Sequence, residues 1–362
     1  MELLAAYGWN SHFAQHLGPD EGIPVRVISE QRGLYRAVSA SGELPVELSG
    51  SLRFEAAGPD ELPAVGDWLA VRLSPDGRMG VAARVLPRKS VICRGTPGRP
   101  AQEQILAANV DTAFVVTTAD RDFNPRRIER YLAMIWGGGA RPVILINKTD
   151  LHPDHAGLMA QARSAFPGVD IHGLSALHGR GLDELAGDLK PASTSVMLGS
   201  SGVGKSTLLN RLIGQDLQRL GDVRASDRRG RHTTSSRQMF LLPDGGLLID
   251  TPGLRELRLW DAAPGLSRTF ADIEALSPRC RYRDCSHRDE PGCAVLEAVQ
   301  EGRLARSHYD NYLKLLKEQD YQNRREDPAM KANAKRRWKS VHKDLRFIQK
   351  LKRGEADLSP AE

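Results

Sequence analysis

The segment Gly199-Ser200-Ser201-Gly202-Val203-Gly204-Lys205-Ser206 carries the densest chemical signal in this chain. It follows the apolar run TSVML and opens into TLLNRLI, the strand, loop and helix setting in which a glycine-rich turn holds phosphate. Glycines let backbone N–H groups turn inward around phosphate oxygens, and the helix N-terminus adds a favourable dipole. Lys205 is expected to reach the β- and γ-phosphates and Ser206 to ligate Mg²⁺, with Thr207 beside it in the binding set.

Asn147-Lys148-Thr149-Asp150 ends the apolar run PVILIN. A carboxylate only accepts hydrogen bonds, and guanine offers it two donors side by side, which adenine cannot. Asp150 is therefore expected to read the base, Asn147 to hold its other edge and Lys148 to cover the ring. Ser175-Ala176, after VDIHG, suits a backbone N–H given to the guanine carbonyl oxygen. Asp250-Thr251-Pro252-Gly253 follows GLLID, which places Asp250 beside Mg²⁺ and the Gly253 N–H near the γ-phosphate. Between these motifs lies an arginine-rich stretch with Gly230-Arg231-His232-Thr233-Thr234, in which Thr233 or Thr234 is the expected second Mg²⁺ ligand. Leu254 stands where a water-orienting glutamine would serve, so intrinsic hydrolysis is expected to be slow.

A second chemistry is written in Cys280-x4-Cys285-x-His287-x5-Cys293. Three thiolates and an imidazole at this spacing suit a closed tetrahedral zinc site, structural rather than catalytic, and arginines around it (Arg279, Arg281, Arg283, Arg288) suit RNA phosphate. Cys93 is expected to be a buried structural thiol rather than a ligand. Residues 331–353 hold ten Lys or Arg against one acid, Asp344, so this stretch carries +9 of a chain whose net charge is +6, leaving −3 for the remainder. A basic tail on an acidic body points to a polyanionic partner, and its apolar positions Trp338, Val341, Leu345 and Ile348 fit a helix that orders on RNA. At 40% hydrophobic and 27% charged, with no apolar run of spanning length and no signal-like start, the chain is expected to be cytoplasmic and without membrane contact.

Alternating runs of strand type from Ile23 to about Ile92 predict a five-stranded barrel, OB-like or SH3-like. A short helix is expected within residues 2–17. Alternating strands and helices around the phosphate and base motifs predict a parallel sheet covered on both faces. The expected architecture is multidomain α/β with an all-β N-terminal domain. Its divisions are an N-terminal segment (1–21), an OB-fold-like barrel (22–93), a Gly/Pro-rich linker (94–104), a circularly permuted P-loop GTPase domain (105–261), a zinc-bearing α-helical domain (262–319) and a basic tail (320–362). The permutation follows from motif order, since the guanine motif precedes the P-loop instead of coming last.

With the permuted order, GRHTT, DTPGL, the preceding barrel and the following Cys/His cluster, residues 22–316 resemble the RsgA (YjeQ) family of small-subunit-dependent GTPases. The resemblance implies an OB-fold, Mg²⁺ with GTP, one structural Zn²⁺, and a role in late maturation of the 30S ribosomal subunit, with 16S rRNA and other assembly factors as partners. It also implies hydrolysis stimulated by that subunit, with His232 as catalytic group alongside Lys205 and Thr234. Ser235 stands where many members have a threonine, and its hydroxyl is retained. A monomer is expected. The rival expectations are a permuted GTPase of large-subunit assembly and an RNA-binding factor with a vestigial nucleotide site.

Overall fold

The computed structural model describes residues 1–31, 33–56, 58–95, 103–120, 122–214, 237–251 and 263–326. Two short helices, α1 (Glu2–Ala6) and α2 (Ser11–Ala14), stand where one was expected, because the chain turns at Gly8 with φ of 86°. Leu4 and Phe13 are buried with Trp68, Ala70 and Leu86 against the outside of the barrel.

The barrel comprises β1 (Ile23–Gln31), β2 (Leu34–Ser39), β3 (Gly42–Leu48), β4 (Trp68–Leu73) and β5 (Gly80–Val85), with helix α3 (Gly50–Glu55) between the third and fourth. Alternation sorts each strand: in β3, Leu44 and Val46 face in while Glu43, Pro45 and Glu47 face out. The pairings run β1–β2, β2–β3, β3–β5, β5–β4 and β4–β1, all antiparallel except β3–β5. This closed Greek-key ring is the OB arrangement, which decides between the two barrels the sequence allowed.

β6 (Val91–Gly95) and β7 (Glu103–Ala108) form an antiparallel ribbon. Cys93 of β6 is half-buried, so the expectation of a buried thiol is met only in part. Arg94, Gly95, Glu103 and Gln104, expected in the linker, are thus strand; Arg94 also donates to the Gln104 amide oxygen at 3.0 Å, a pairing that local Gly/Pro content does not reveal.

The second sheet contains β8 (Thr112–Thr118), β9 (Arg141–Asn147), β10 (Asp170–Gly173), β11 (Thr194–Leu198), β12 (Gln238–Leu241) and β13 (Leu247–Asp250), in the order β10-β9-β8-β11-β13-β12. Every pair is parallel except β12–β13. All residues of β8 and β11 are buried, as expected of strands covered on both faces. The three strands preceding the P-loop strand in the chain lie together on one side of it, so the permuted order builds an uninterrupted sheet. Helices α4 (Pro125–Gly137), α5 (His155–Ala165) and α6 (Lys205–Ile213) cover it. α4 starts where Asn124 caps the Arg127 N–H at 3.2 Å and Pro125 supplies a first-turn residue with no N–H to satisfy. Ser29 of β1 pairs with Gln238 of β12, so barrel and sheet form one hydrogen-bonded array.

At that seam Arg26 is 2% exposed. Its guanidinium donates to the carbonyls of Tyr7, Gly66 and Asn109 and, at 2.8 Å, to the Thr194 hydroxyl. Burial lowers its pKa to about 10, against the pull of Asp111 and Asp67. The C-terminal region is helical: α7 (Ala263–Thr269), α8 (Ala271–Leu276), α9 (Ala294–Gln300) and α10 (Arg306–Glu326). Among the described residues no helix is long and apolar enough to cross a membrane.

Candidate functional site

The P-loop connects β11 to α6 through Gly202 and Gly204, both at positive φ (86° and 98°). At Gly204 a Cβ would lie 2.3 Å from the Asn147 amide nitrogen, so only glycine allows this loop to close on the guanine motif. Lys205 is 7% exposed, and its ammonium donates to the carbonyls of Gly199 (2.8 Å) and Ser200 (2.9 Å). Burial lowers the Lys205 pKa while Asp250 opposes the shift; burial raises that of Asp250 while Lys205 opposes it. Each charge thus partly offsets the burial cost of the other, and a phosphate beside Lys205 with a divalent cation beside Asp250 would offset more of it. Asp250 ends β13, in register with Met197 of β11, and Thr251 donates its hydroxyl to the Met197 carbonyl at 2.7 Å. Ser206 and Thr207 lie exposed in the first turn of α6.

Asn147 ties three motifs together. Its amide nitrogen donates to the Val203 carbonyl (2.9 Å), and its amide oxygen accepts from the N–H groups of Lys148 (2.8 Å) and Ala176 (2.9 Å). Sequence reasoning gave Asn147 an edge of the base and Ser175-Ala176 a backbone N–H for the base carbonyl; in this structure the Ala176 N–H is engaged by Asn147 and the Ser175 N–H by the Arg180 carbonyl at 3.0 Å. Lys148, at φ 62°, lays its chain over the loop and donates to the Gly202 carbonyl at 3.0 Å. Asp150 is held as a carboxylate: the Ser175 hydroxyl lowers its pKa, and His178 lies 3.6 Å away. With Asp150→Asn the guanine donors would meet another donor, so GTP affinity should drop about 10²-fold, by the cost of a mispaired buried polar contact, while a xanthosine triphosphate should bind better than to wild type. Nucleotide titration checks this, and unchanged GTP preference would remove Asp150 from base reading.

Sequence reasoning missed Asp122 and Arg127. They follow the C-terminal end of β8, next to the P-loop strand, and pair at 2.6 Å; the charge of Asp122 also acts on Lys205. Their signal was position, because ligand contacts gather at the carboxyl ends of parallel strands. His232, Thr233, Thr234, Ser235, Gly253 and Leu254 lie outside the described residues, as does the tail from 327 onward.

The second cluster brings the ligand atoms of Cys280, Cys285, His287 and Cys293 within 4.8 Å of one another. The Cys280 and Cys293 sulfurs are 3.9 Å apart, and each is 3.5 Å from His287 Nδ1. A tetrahedron with Zn–S near 2.3 Å and Zn–N near 2.0 Å has edges of about 3.8 and 3.5 Å, so the cage fits zinc. Ser277 gives its hydroxyl proton to the Ile273 carbonyl (3.2 Å), so at 3.0 Å it accepts from His287 Nε2 and leaves Nδ1 free to ligate. Tyr309 donates to the His287 carbonyl at 2.5 Å, holding that residue at its φ of 59°. Burial and the neighbouring thiols push Cys285 up to about 11, a cost that a bound cation reverses.

Residues 85–260 match the model of the RsgA GTPase family. The chain is 43% identical over 360 residues to the small ribosomal subunit biogenesis GTPase RsgA of Opitutus terrae, spanning 96% of this chain and 98% of that one. The chain belongs to the RsgA GTPase family. It is therefore a GTP hydrolase. Among solved structures it is similar to YjeQ from Thermotoga maritima (27% identity, TM-score 0.60, covering 82% of this chain and 98% of that one). It is also similar to YloQ, a circularly permuted GTPase (26% identity, TM-score 0.58, covering 82% and 94%).

Proposed function

We propose that the chain binds the 30S ribosomal subunit through 16S rRNA and hydrolyses GTP as a timing switch in late small-subunit maturation, in the cytoplasm and as a monomer. The supporting observation is the convergence of the P-loop, Asn147, Asp150 and Asp250 at one edge of a permuted sheet, hydrogen-bonded to an OB barrel and followed by a Cys/His module. The names of its relatives support the small subunit as partner.

In this reading Gly199 to Thr207 cradle the triphosphate, Lys205 neutralises its β- and γ-oxygens, and Asn147, Lys148, Asp150, Ser175 and Ala176 enclose the guanine. Ser206 and Thr234, with Asp250 behind them, would hold Mg²⁺, which supplies positive charge to the leaving phosphate when bound. Thr233 and the Gly253 N–H complete the γ-phosphate contacts. His232 orients water or neutralises developing charge, since Leu254 can do neither. His232→Ala should lower 30S-stimulated turnover by about 10²-fold with nucleotide affinity little changed; stimulated turnover that survives the substitution assigns catalysis elsewhere.

Titrating separated 30S and 50S subunits against GTP turnover tests the partner. Stimulation by 30S is expected. Stimulation by 50S alone would replace this reading with the large-subunit one, and no stimulation by either would favour a binding factor. A chain ending at Glu326 should bind 30S more weakly and with a flatter salt dependence, because fewer counterions are released, while basal turnover stays unchanged.

A further inference from the structure

Helix α4 begins just beyond β8, the strand beside the P-loop strand, and packs along its body on the C-terminal helices that carry the Cys/His module. At its first turn Arg127 pairs with Asp122, whose carbonyl accepts from Thr117 (3.2 Å) at the end of β8. Farther along, Glu129 is 4% exposed, accepts from His308 Nδ1 at 2.7 Å and also accepts from the Asn311 amide. Asn311 further donates to the Arg126 carbonyl (3.2 Å), and Arg130 pairs with Glu318 at 2.6 Å. His308 reaches a second acid, donating from Nε2 to Asp272 of α8 at 3.1 Å, and its ring packs 4.8 Å from Phe270. Isolated burial would discharge this imidazole, but the two acids outweigh it and raise the pKa to about 9, so it is a cation at neutral pH.

Two further contacts make the assembly stiff. A Cβ on Gly265 of α7 would lie 1.9 Å from the Ala133 carbonyl, so α7, the first described element after Asp250 and Thr251, lies backbone to backbone on α4. The residue after His308 is Tyr309, which holds the His287 carbonyl. Consecutive residues of α10 thus grip α4 and the metal cage.

We infer that α4 is the beam through which occupancy of the triphosphate site sets the position of the Cys/His module, with His308 the positioning residue that fastens the two. This rests on the nucleotide reading above. The P-loop backbone abuts β8, since a Cβ on Gly199 would lie 2.3 Å from the Val116 carbonyl, and the next residue, Thr117, holds Asp122, which pairs Arg127 at the start of α4; triphosphate that reshapes the loop displaces this chain of contacts. Any shift there moves a helix whose other contacts are buried, charged and directional, and such contacts transmit motion because they do not stretch.

Hydrogen exchange of the full-length zinc-loaded protein, with GDP or with a non-hydrolysable GTP analogue, tests it. In wild type, amides of residues 306–319 should exchange at rates differing at least about fivefold between the two nucleotides, the low end of measured couplings. His308→Gln and Glu129→Gln should erase that difference while zinc content and analogue affinity hold, and His308→Arg, which keeps a cation facing both acids, should restore it. In 30S-stimulated turnover His308→Gln should lower kcat and leave the KM for GTP alone. Equal exchange in wild type with both nucleotides demonstrably bound would overturn the inference, whatever the variants do. A difference surviving both neutral variants would overturn it too. Failure of the analogue to bind at all would instead overturn the nucleotide reading on which it stands.

Discussion

GTP turnover should fall about 10³-fold when Lys205 is replaced by alanine, the upper range for removing one preorganised donor from developing charge. The lysine is buried and its ammonium is borrowed, in this structure, by the carbonyls of Gly199 and Ser200. Triphosphate replaces neutral acceptors by charged ones, so the gain appears where charge accumulates and belongs to the transition state more than to the ground state. Affinity for GTP should weaken less than turnover. The barrel has its own core of Val25, Val27, Tyr35, Leu44, Val46, Leu69 and Val71, and should stay folded. Single-turnover kinetics with a thermal melt checks both halves; turnover within tenfold of wild type would place the phosphate-neutralising charge elsewhere.

Stripping metal from the Cys/His cage, or replacing Cys285 by alanine, should unfold the helices around it. Structural zinc sites contribute about 10–16 kcal/mol of apparent binding free energy, as large as the whole stability of a typical domain, about 5–15 kcal/mol. A small helical module cannot make up that loss from Val295, Ala298, Tyr309 and the few other buried side chains beside it. Elemental analysis should find one zinc per chain. Chelation should lower helical circular dichroism, and Cys285→Ala should copy the effect. A preparation without stoichiometric metal, whose helicity a chelator leaves untouched, would show that the cluster does not use zinc.

The phosphate and base motifs were legible because their information is local. Eight residues encode the P-loop turn, and the expectation for Asp150 came from an acceptor-only side chain at the end of a strand. The barrel was half legible: alternation counts five strands, but only the parallel pairing of β3 with β5, through Val46 and Gly80, separates an OB ring from its rivals. The ribbon of β6 and β7 was hidden by Gly and Pro, which mark a turn without saying that its flanks pair. Long-range polar contacts left no trace at all. Asn147 meets Val203 across 56 positions and Glu129 meets His308 across 179, and no periodicity connects residues so far apart. His308 reads as one more surface histidine until two acids from other helices close on it.

Arg26 imposes a schedule on synthesis. Its acceptors lie 19, 40, 83 and 168 residues away in the chain, on both sides of it. Tyr7 leaves the ribosome before it and Gly66 soon after, but the Thr194 hydroxyl follows only 168 residues later. At bacterial-scale elongation of about 5–20 residues per second that is a delay of roughly ten to thirty seconds. For that interval the barrel can close while the guanidinium stays hydrated at its rim, and the seam with the GTPase sheet stays open. The cation seals last, when β11 arrives with the P-loop directly behind it. A nascent chain therefore gains the last acceptor of Arg26 and its P-loop in the same stretch of translation, with Gln238 and Asp250 still to come.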